Sequence, residues 1–199
     1  DFDFAPYVED GTVFNLYLID EPKSKNSWGG VAVSNQVIDE MAAYTKNYWP
    51  TLPTSVRSSP TQLEQNGFEW EHLDVAWGQY HSRYGNIQNY INEEVASANS
   101  QGLGIIWGLQ MMTGGNGSSG VHPEAPFGTS RWIMSYNEIV NNSTAMLNSG
   151  GGCALITFRW QRYDETYNDN NSFLTQAKTD LIPVAEAATS PAYCGLRGG

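Results

Sequence analysis

Basic residues are scarce in this sequence. Only 10 of its 199 residues are Lys or Arg, against 21 Asp and Glu, and the formal net charge is −11. A nucleic-acid-binding protein needs a basic patch to neutralise phosphates, and anionic membrane surfaces attract basic proteins in the same way. The composition therefore argues against both partners. No apolar run approaches the roughly 20 residues of a membrane-spanning helix, so we expect no membrane span.

Metal-binding and phosphate-binding patterns are also missing. The three histidines, His72, His81 and His122, are scattered and show no ligand spacing with each other or with the two cysteines, so we expect neither a metal nor another cofactor. No Gly-x-Gly-x-x-Gly or Gly-Lys-Ser/Thr motif joins a strand to a helix. The glycine-rich run at 114–117 follows a predicted strand but opens a long loop, so we interpret it as loop flexibility rather than a phosphate cradle.

The cysteines are Cys153 and Cys194. They are either two buried thiols or one disulfide that ties the C-terminal tail, residues 189–199, to the last strand. We favour the disulfide, because a tail rich in Pro and Gly gains order from a crosslink. The chain is also rich in Asn, Ser, Gly, Tyr and Trp and poor in Lys. Together these features predict a secreted or periplasmic protein.

Apolar runs that read as strands alternate with amphipathic segments that read as helices. Such alternation predicts an α/β fold with a parallel sheet and helical crossovers, in one domain that spans residues 1–199. Five such units form either an open doubly wound sheet or five-eighths of a barrel. The predicted strands are 12–21, 54–58, 73–80, 103–112 and 154–160, and the predicted helices are 35–49, 87–101, 130–147 and 173–188.

Polar and aromatic side chains gather at the carboxyl ends of these strands. In parallel α/β folds the carboxyl ends carry the functional site, and Trp, Tyr, Arg and Gln there are suited to stacking on sugars and to binding their hydroxyls. The alternative is that each aromatic residue only completes the core. The set makes Asp20 and Glu21 catalytic candidates, with ligand binding without catalysis or a structural role as the alternatives. It also predicts a substrate-binding group of Trp28, Arg57, Trp77, Gln79, Tyr80, Gln110, Arg159 and Trp160.

The stretch Tyr17-Leu18-Ile19-Asp20-Glu21-Pro22 resembles the fourth-strand ending of (β/α)8-barrel glycoside hydrolases. The Asp-Glu pair resembles that of substrate-assisted N-acetylhexosaminidases, and the following proline resembles the Asn-Glu-Pro ending of a large clan of retaining enzymes. The wider pattern is similar to bacterial secreted proteins of glycosidase-like type, whose activities are uncharacterised. The resemblance implies a TIM-barrel-like fold of which this chain supplies the C-terminal five βα units, strands four to eight.

The resemblance also implies roles for the acid pair. Glu21 would be the general acid, and Asp20 would orient the substrate or assist. The chain departs from the retaining clan at Gln110, which occupies the place of the second carboxylate, and an amide cannot act as nucleophile or base. Asp164 and Glu165, which follow the last strand, could replace the second carboxylate, but nothing in the sequence places them near Glu21.

Three functions therefore stay open. The first is a glycoside hydrolase that acts on an extracellular polysaccharide or glycoconjugate. The second is a non-catalytic sugar-binding or accessory subunit of a larger assembly, in which another polypeptide covers the open barrel edge. The third is a metal-dependent hydrolase that uses Asp20, Glu21 and His81.

Overall fold

A computed structural model describes residues 4–123, 129–158, 171–188 and 194–195 of the chain. Strands and helices alternate along these residues. The strands are Leu16–Asp20 (β1), Thr54–Arg57 (β2), Val75–Tyr80 (β3), Gly104–Gln110 (β4) and Ala154–Phe158 (β5). The α-helices are Ala5–Glu9 (α1), Asn35–Lys46 (α2), Pro60–Leu63 (α3), Ile87–Gln101 (α4), Tyr136–Asn148 (α5) and Asn171–Ala187 (α6), with short 3₁₀ helices at Lys25–Trp28 and Ser82–Tyr84.

The five strands form one parallel sheet in the order β1-β2-β3-β4-β5. In the first pair Asp20 lies opposite Arg57, and in the last pair Gln110 lies opposite Phe158. Sequential parallel strands with helices between them are the pattern expected of βαβ units. The predicted α/β class, with a parallel sheet and interleaved helices, is therefore confirmed.

The five predicted strands are all present, and the first four are shorter than predicted at one or both ends. Residues 12–15 precede β1 as extended or bent chain rather than strand, and Glu21 leaves β1 with a positive φ of 42°. The apolar runs identified the strands correctly because a strand buried on both faces is apolar at nearly every position. Residues 159 and 160, the predicted end of the last strand, lie outside the described residues.

Two helix boundaries differ from the prediction by three residues or more. Helix α2 begins after Ser34, whose hydroxyl accepts the Val37 N–H at 3.3 Å, as expected of an N-cap, but it ends at Lys46 rather than at residue 49. Helix α5 begins at Tyr136 rather than at residue 130. The cause is a capping box, in which the side chains of Ser135 and Glu138 satisfy each other's backbone N–H groups.

The described residues divide into two compact units. Unit 1 contains those within 1–78, 94–105 and 193–199, and unit 2 contains those within 79–93 and 106–192. Each unit has its own buried apolar residues. Those of unit 1 include Ile38, Val56, Leu63, Leu73 and Ile105, and those of unit 2 include Trp107, Leu109, Met134, Ile139 and Met146.

Buried carboxylates tie the elements of unit 1 together. The carboxylate of Asp74, at the start of β3, accepts the Thr54 N–H at 2.8 Å and a bond from Lys46 Nζ at 2.9 Å. Asp39 of α2 accepts the N–H groups of His72 and Leu73, both at 2.9 Å. These bonds join α2 and β2 to the chain that enters β3, because a buried carboxylate must be paired or hydrogen-bonded.

Cys153 and Cys194 form a disulfide, as the sequence predicted. The rest of the tail from 189 onwards lies outside the described residues, apart from 194–195. No helix in the described part of the chain has the length and apolar character that crossing a bilayer requires.

Candidate functional site

The acid pair and Arg57 meet where β1 and β2 end. Asp20 is the last residue of β1, Arg57 is the last residue of β2, and the parallel register places them opposite each other. Side chains at paired positions of neighbouring strands lie on the same face of the sheet and within reach of each other. A strand-end cluster in unit 1 therefore follows directly from the register.

Arg57 contacts both carboxylates. Its Nη2 donates to Asp20 Oδ2 at 2.9 Å and lies 3.1 Å from Glu21 Oε1, and its Nε donates to Asp20 Oδ1. The Arg57 side chain is 13% exposed, whereas those of Asp20 and Glu21 are 57% and 47% exposed. The buried guanidinium of Arg57 is thus paired with two carboxylates that are about half exposed to solvent.

Asp20 is held in its ionised form. Hydrogen bonds from Arg57 and from the Tyr17 hydroxyl, which donates to Asp20 Oδ1 at 2.5 Å, lower the pKa of Asp20 against the opposing effect of burial. Burial and the adjacent Asp20 carboxylate raise the pKa of Tyr17. Asp20 is therefore an anion that accepts hydrogen bonds from protein donors on both of its oxygens.

Glu21 has a backbone conformation that is unusual for a residue with a side chain. Its φ of 42° lies in the left-handed region, and in the described part of the chain no other non-glycine residue has a positive φ. Two contacts hold its carbonyl oxygen, which accepts the Ser24 N–H at 2.9 Å and Trp28 Nε1 at 3.1 Å. Trp28 Nε1 also lies 3.0 Å from the carbonyl oxygen of Asp20.

A polar cavity opens beside Glu21. It has a volume of about 300 Å³ and is lined by Glu21, Lys23, Ser24, Arg57, Ser58 and Gln62, and we call it the Glu21 pocket. Lys23 Nζ donates to the carbonyl oxygen of Val33 at 2.9 Å and to the side-chain oxygen of Asn35, and burial lowers its pKa. The lining thus combines one carboxylate, two cations, two hydroxyls and one amide.

Aromatic rings lie near the acid pair. Tyr17 and Trp77 pack edge to face with their ring centroids 5.7 Å apart, and Trp77 is half-buried. The side chain of Trp28 bonds the chain that leaves β1, and the residue is 40% exposed. Trp28 therefore combines a structural bond through its N–H with an exposed surface near Glu21.

The other predicted site residues belong to unit 2 or lie outside the described residues. Tyr80 is 4% exposed, and its hydroxyl donates to the Gly85 carbonyl oxygen at 2.5 Å. Gln79 precedes it in β3, and Gln110 ends β4. Arg159 and Trp160 are outside the described residues, as are Asp164 and Glu165. The structure thus brings together Asp20, Glu21, Trp28, Arg57 and Trp77 in unit 1.

Sequence analysis missed several residues of this site. Tyr17 stands in the strand-end stretch that carries the resemblance but is absent from the predicted site residues, although its hydroxyl donates to Asp20 Oδ1. Lys23, Ser24, Ser58 and Gln62 line the pocket from two loops and one helical turn. Their nearness to Glu21 and Arg57 in the sequence was the available signal, because residues that follow parallel strands share one edge of the sheet.

Metal binding has no support among the described residues. No group of three or more His, Cys, Asp or Glu side chains in this part of the chain is arranged to hold a metal ion. Comparison with protein-family models, with curated proteins and with solved structures finds no match to this chain. The functional argument therefore rests on the geometry around Glu21.

Proposed function

We propose that the chain is a carbohydrate-active protein whose sugar site is the Glu21 pocket. The observation that carries the proposal is the pocket's lining, in which a carboxylate, a guanidinium, an ammonium, hydroxyls and an amide surround about 300 Å³. Sugar hydroxyls donate and accept, so a site that binds them needs both kinds of partner. The volume is at the lower end of small-ligand pockets, about 300–1,000 Å³, and suits one or two sugar rings.

The proposed architecture is the C-terminal part of a (β/α)8 barrel, with β1 to β5 as strands four to eight. Two features support it, namely the sequential parallel order of the strands and the Asp20-Glu21-Pro22 ending of β1. The order leaves β1 at one end of the sheet, where another polypeptide would cover it. A secreted or periplasmic location agrees with the Cys153–Cys194 disulfide, since disulfides persist in oxidising compartments.

In the leading version of the proposal the protein is a glycoside hydrolase. Glu21 lines the pocket, is half exposed and is the group placed to reach a glycosidic oxygen as general acid. Asp20 has its charge held by Arg57 and Tyr17, which suits a group that orients the substrate or stabilises positive charge beside the acid. The two carboxylates would thus have different roles because their surroundings differ.

A second version is a sugar-binding module without catalysis. The hydrogen bonds from Arg57 and Tyr17 to Asp20 favour it, because they stabilise the ionised form of that carboxylate, which suits ligand binding rather than proton donation. Gln110 at the end of β4, in place of a second carboxylate, favours it as well. Such a module would serve as an accessory subunit of a larger extracellular or periplasmic assembly.

One set of variants tests both versions. Chromogenic aryl glycosides, including an N-acetyl-β-glucosaminide, are offered to the wild type, Glu21→Gln, Asp20→Asn and the control Glu40→Gln on the exposed face of α2. The hydrolase version predicts turnover that falls by about 10²-fold or more in Glu21→Gln, the usual contribution of a general acid, and is unchanged in the control. Equal turnover in wild type and Glu21→Gln would remove the catalytic role of Glu21.

A glycan array separates binding from catalysis. If no glycoside is hydrolysed, the binding version predicts that the wild type binds at least one glycan on the array. Arg57→Met should no longer bind that glycan, because Arg57 lines the pocket and contacts its carboxylates. The control is again Glu40→Gln, which should bind as the wild type does. Absence of both hydrolysis and glycan binding would reject the proposed function.

A further inference from the structure

Unit 2 contains a large apolar cavity that the proposed function does not use. Its volume is about 680 Å³, and it lies against β5 and the inner faces of α5 and α6. The residues used below are Trp107, Gly152, Ala154, Ala177, Lys178 and Ala185, all of which line it. Cavities of about 300–1,000 Å³ with mostly apolar walls are the usual sites of small ligands.

Small side chains keep this space open. Ala154, Ala177 and Ala185 contribute only a methyl group each, and Ala177 is 2% exposed. At Gly152 an added Cβ would lie 2.2 Å from the ring of Trp107, so no side chain fits between the backbone and the indole. The cavity is open to solvent where Lys178 and Ala185 are exposed, and an apolar ligand that covers its apolar wall would remove that surface from water. A cavity of this size is thus better suited to an apolar ligand than to water.

The wall carries one buried donor. Trp107 is 1% exposed, and its Nε1 has no hydrogen-bond acceptor among the described residues. A buried indole N–H normally finds an acceptor, since leaving it unpaired is costly. The rest of the indole is apolar, and it is the part of the wall that an apolar tail would contact.

The opening carries one charge. Lys178 is exposed on α6 and, among the described residues that line the cavity, it alone has an ionisable side chain. A cation where an apolar cavity meets solvent complements an anionic head group whose apolar tail is buried.

We propose that this cavity binds an amphiphilic monocarboxylate, such as a medium-chain fatty acid. The tail lies among the alanines and against Trp107, and the carboxylate lies at Lys178. The binding is independent of the sugar site, because all the residues that carry it belong to unit 2.

A fluorescence titration with a dansylated undecanoic acid tests the proposal on the whole chain. The wild type should bind the probe saturably, and dodecanoic acid should displace it. Filling the space with Ala177→Leu should weaken binding by about tenfold or more, while the matched control Ala187→Leu, on α6 but outside the cavity lining, should bind as the wild type does. Ala185→Leu repeats the test at an exposed lining position, in case Ala177→Leu does not fold.

The head-group assignment has its own test. Lys178→Gln, at an exposed position, should weaken binding of dodecanoic acid by roughly three- to tenfold but leave the binding of methyl dodecanoate unchanged, since the ester has no charge to lose. An equal effect on acid and ester would overturn the assignment of Lys178. Absence of saturable binding to the wild type, or wild-type affinity in both filled variants, would overturn the site itself.

Discussion

Glu21 lines the proposed sugar site and has a backbone conformation that its side chain disfavours. A left-handed backbone costs a residue with a Cβ roughly 1–2 kcal/mol, and only glycine adopts it freely. Here the conformation is held from outside, by the Ser24 N–H and the Trp28 indole on the Glu21 carbonyl oxygen. Backbone strain of this kind is common at active sites and ligand-binding sites. The conformation of Glu21 therefore supports the proposed role of this residue independently of the charge of its side chain.

Two truncations at this position should therefore differ in stability but not in function. We expect Glu21→Gly to be more stable than Glu21→Ala by about 1 kcal/mol, because glycine relieves the left-handed strain that alanine retains. Both lack the carboxylate and should lose glycan binding or turnover alike. Urea unfolding of the two variants measures the difference. An alanine variant as stable as the glycine variant would mean that the backbone of Glu21 is not strained.

The ion pair of Asp20 should give the protein a defined acid response. Hydrogen bonds from Arg57 and Tyr17 lower the pKa of Asp20 in the folded state. The stability that they give the fold is therefore fully present above the unfolded-state pKa of about 3.9, and it is lost as the pH falls through the lower folded-state pKa. More than half of the side chain is exposed, so solvent screening limits the effect to about 1 kcal/mol or less.

The measurement is the free energy of unfolding of the wild type and Asp20→Asn between pH 7 and pH 3. The wild type should be more stable at pH 7, and the difference should begin to shrink as the pH falls below about 3.9. Glu40→Gln, at an exposed position on α2, is the control for simple loss of negative charge. A difference that grows towards low pH would contradict the assignment of Asp20 as an ionised, paired group.

At the scale of elements, Glu138 explains where α5 begins and how the preceding loop is held. Its carboxylate accepts the Ser135 N–H at 2.9 Å, the Asn116 N–H at 2.8 Å and hydroxyl bonds from Ser82 and Ser118 at 3.0 and 2.9 Å. Burial would raise the pKa of Glu138, but these donors lower it. One side chain thus caps the helix and fastens the segments before it.

Glu138→Gln should loosen this region of unit 2. The amide nitrogen would face N–H and hydroxyl donors, so we expect a loss of about 1–2 kcal/mol and faster hydrogen exchange in residues 113–135. The control is Glu93→Gln, at an exposed position on α4. Exchange rates in this loop that match those of the control would show that the carboxylate does not hold it.

The sequence predicted elements better than it predicted contacts. Apolar runs identified all five strands, and their alternation with helices predicted a parallel sheet, because these patterns arise from burial and chain connectivity. The Asp20–Arg57 contact follows from strand register, so strand ends could indicate it. The positive φ of Glu21 depends on hydrogen bonds from Ser24 and Trp28 in the loop after β1, which no periodicity encodes. The bonds of Glu138 to Asn116 and Ser82 join segments that are distant in the sequence, so no local pattern indicates them.

At the scale of the whole molecule, the disulfide is a covalent restraint that links the residue just before β5 to the C-terminal tail. Cys153 stands just before β5, and Cys194 lies beyond α6. The crosslink closes a loop of about 40 residues that contains both elements, which corresponds to roughly 4 kcal/mol of loop-closure entropy removed from the unfolded chain. The strand β5 is the last of the sheet and is paired on one side only, so a crosslink beside it compensates for the missing neighbour.

Removing the disulfide should therefore destabilise the chain strongly. The double variant Cys153→Ser/Cys194→Ser should lose roughly 2–5 kcal/mol, because the unfolded chain regains the freedom of the loop. Thermal unfolding with and without dithiothreitol measures the effect, and the reductant should shift the wild type but not the double variant. Equal melting temperatures for oxidised and reduced wild type would show that the bond contributes nothing to stability. A large shift would mean that the fold depends on an oxidising compartment, which would agree with the proposed secreted or periplasmic location.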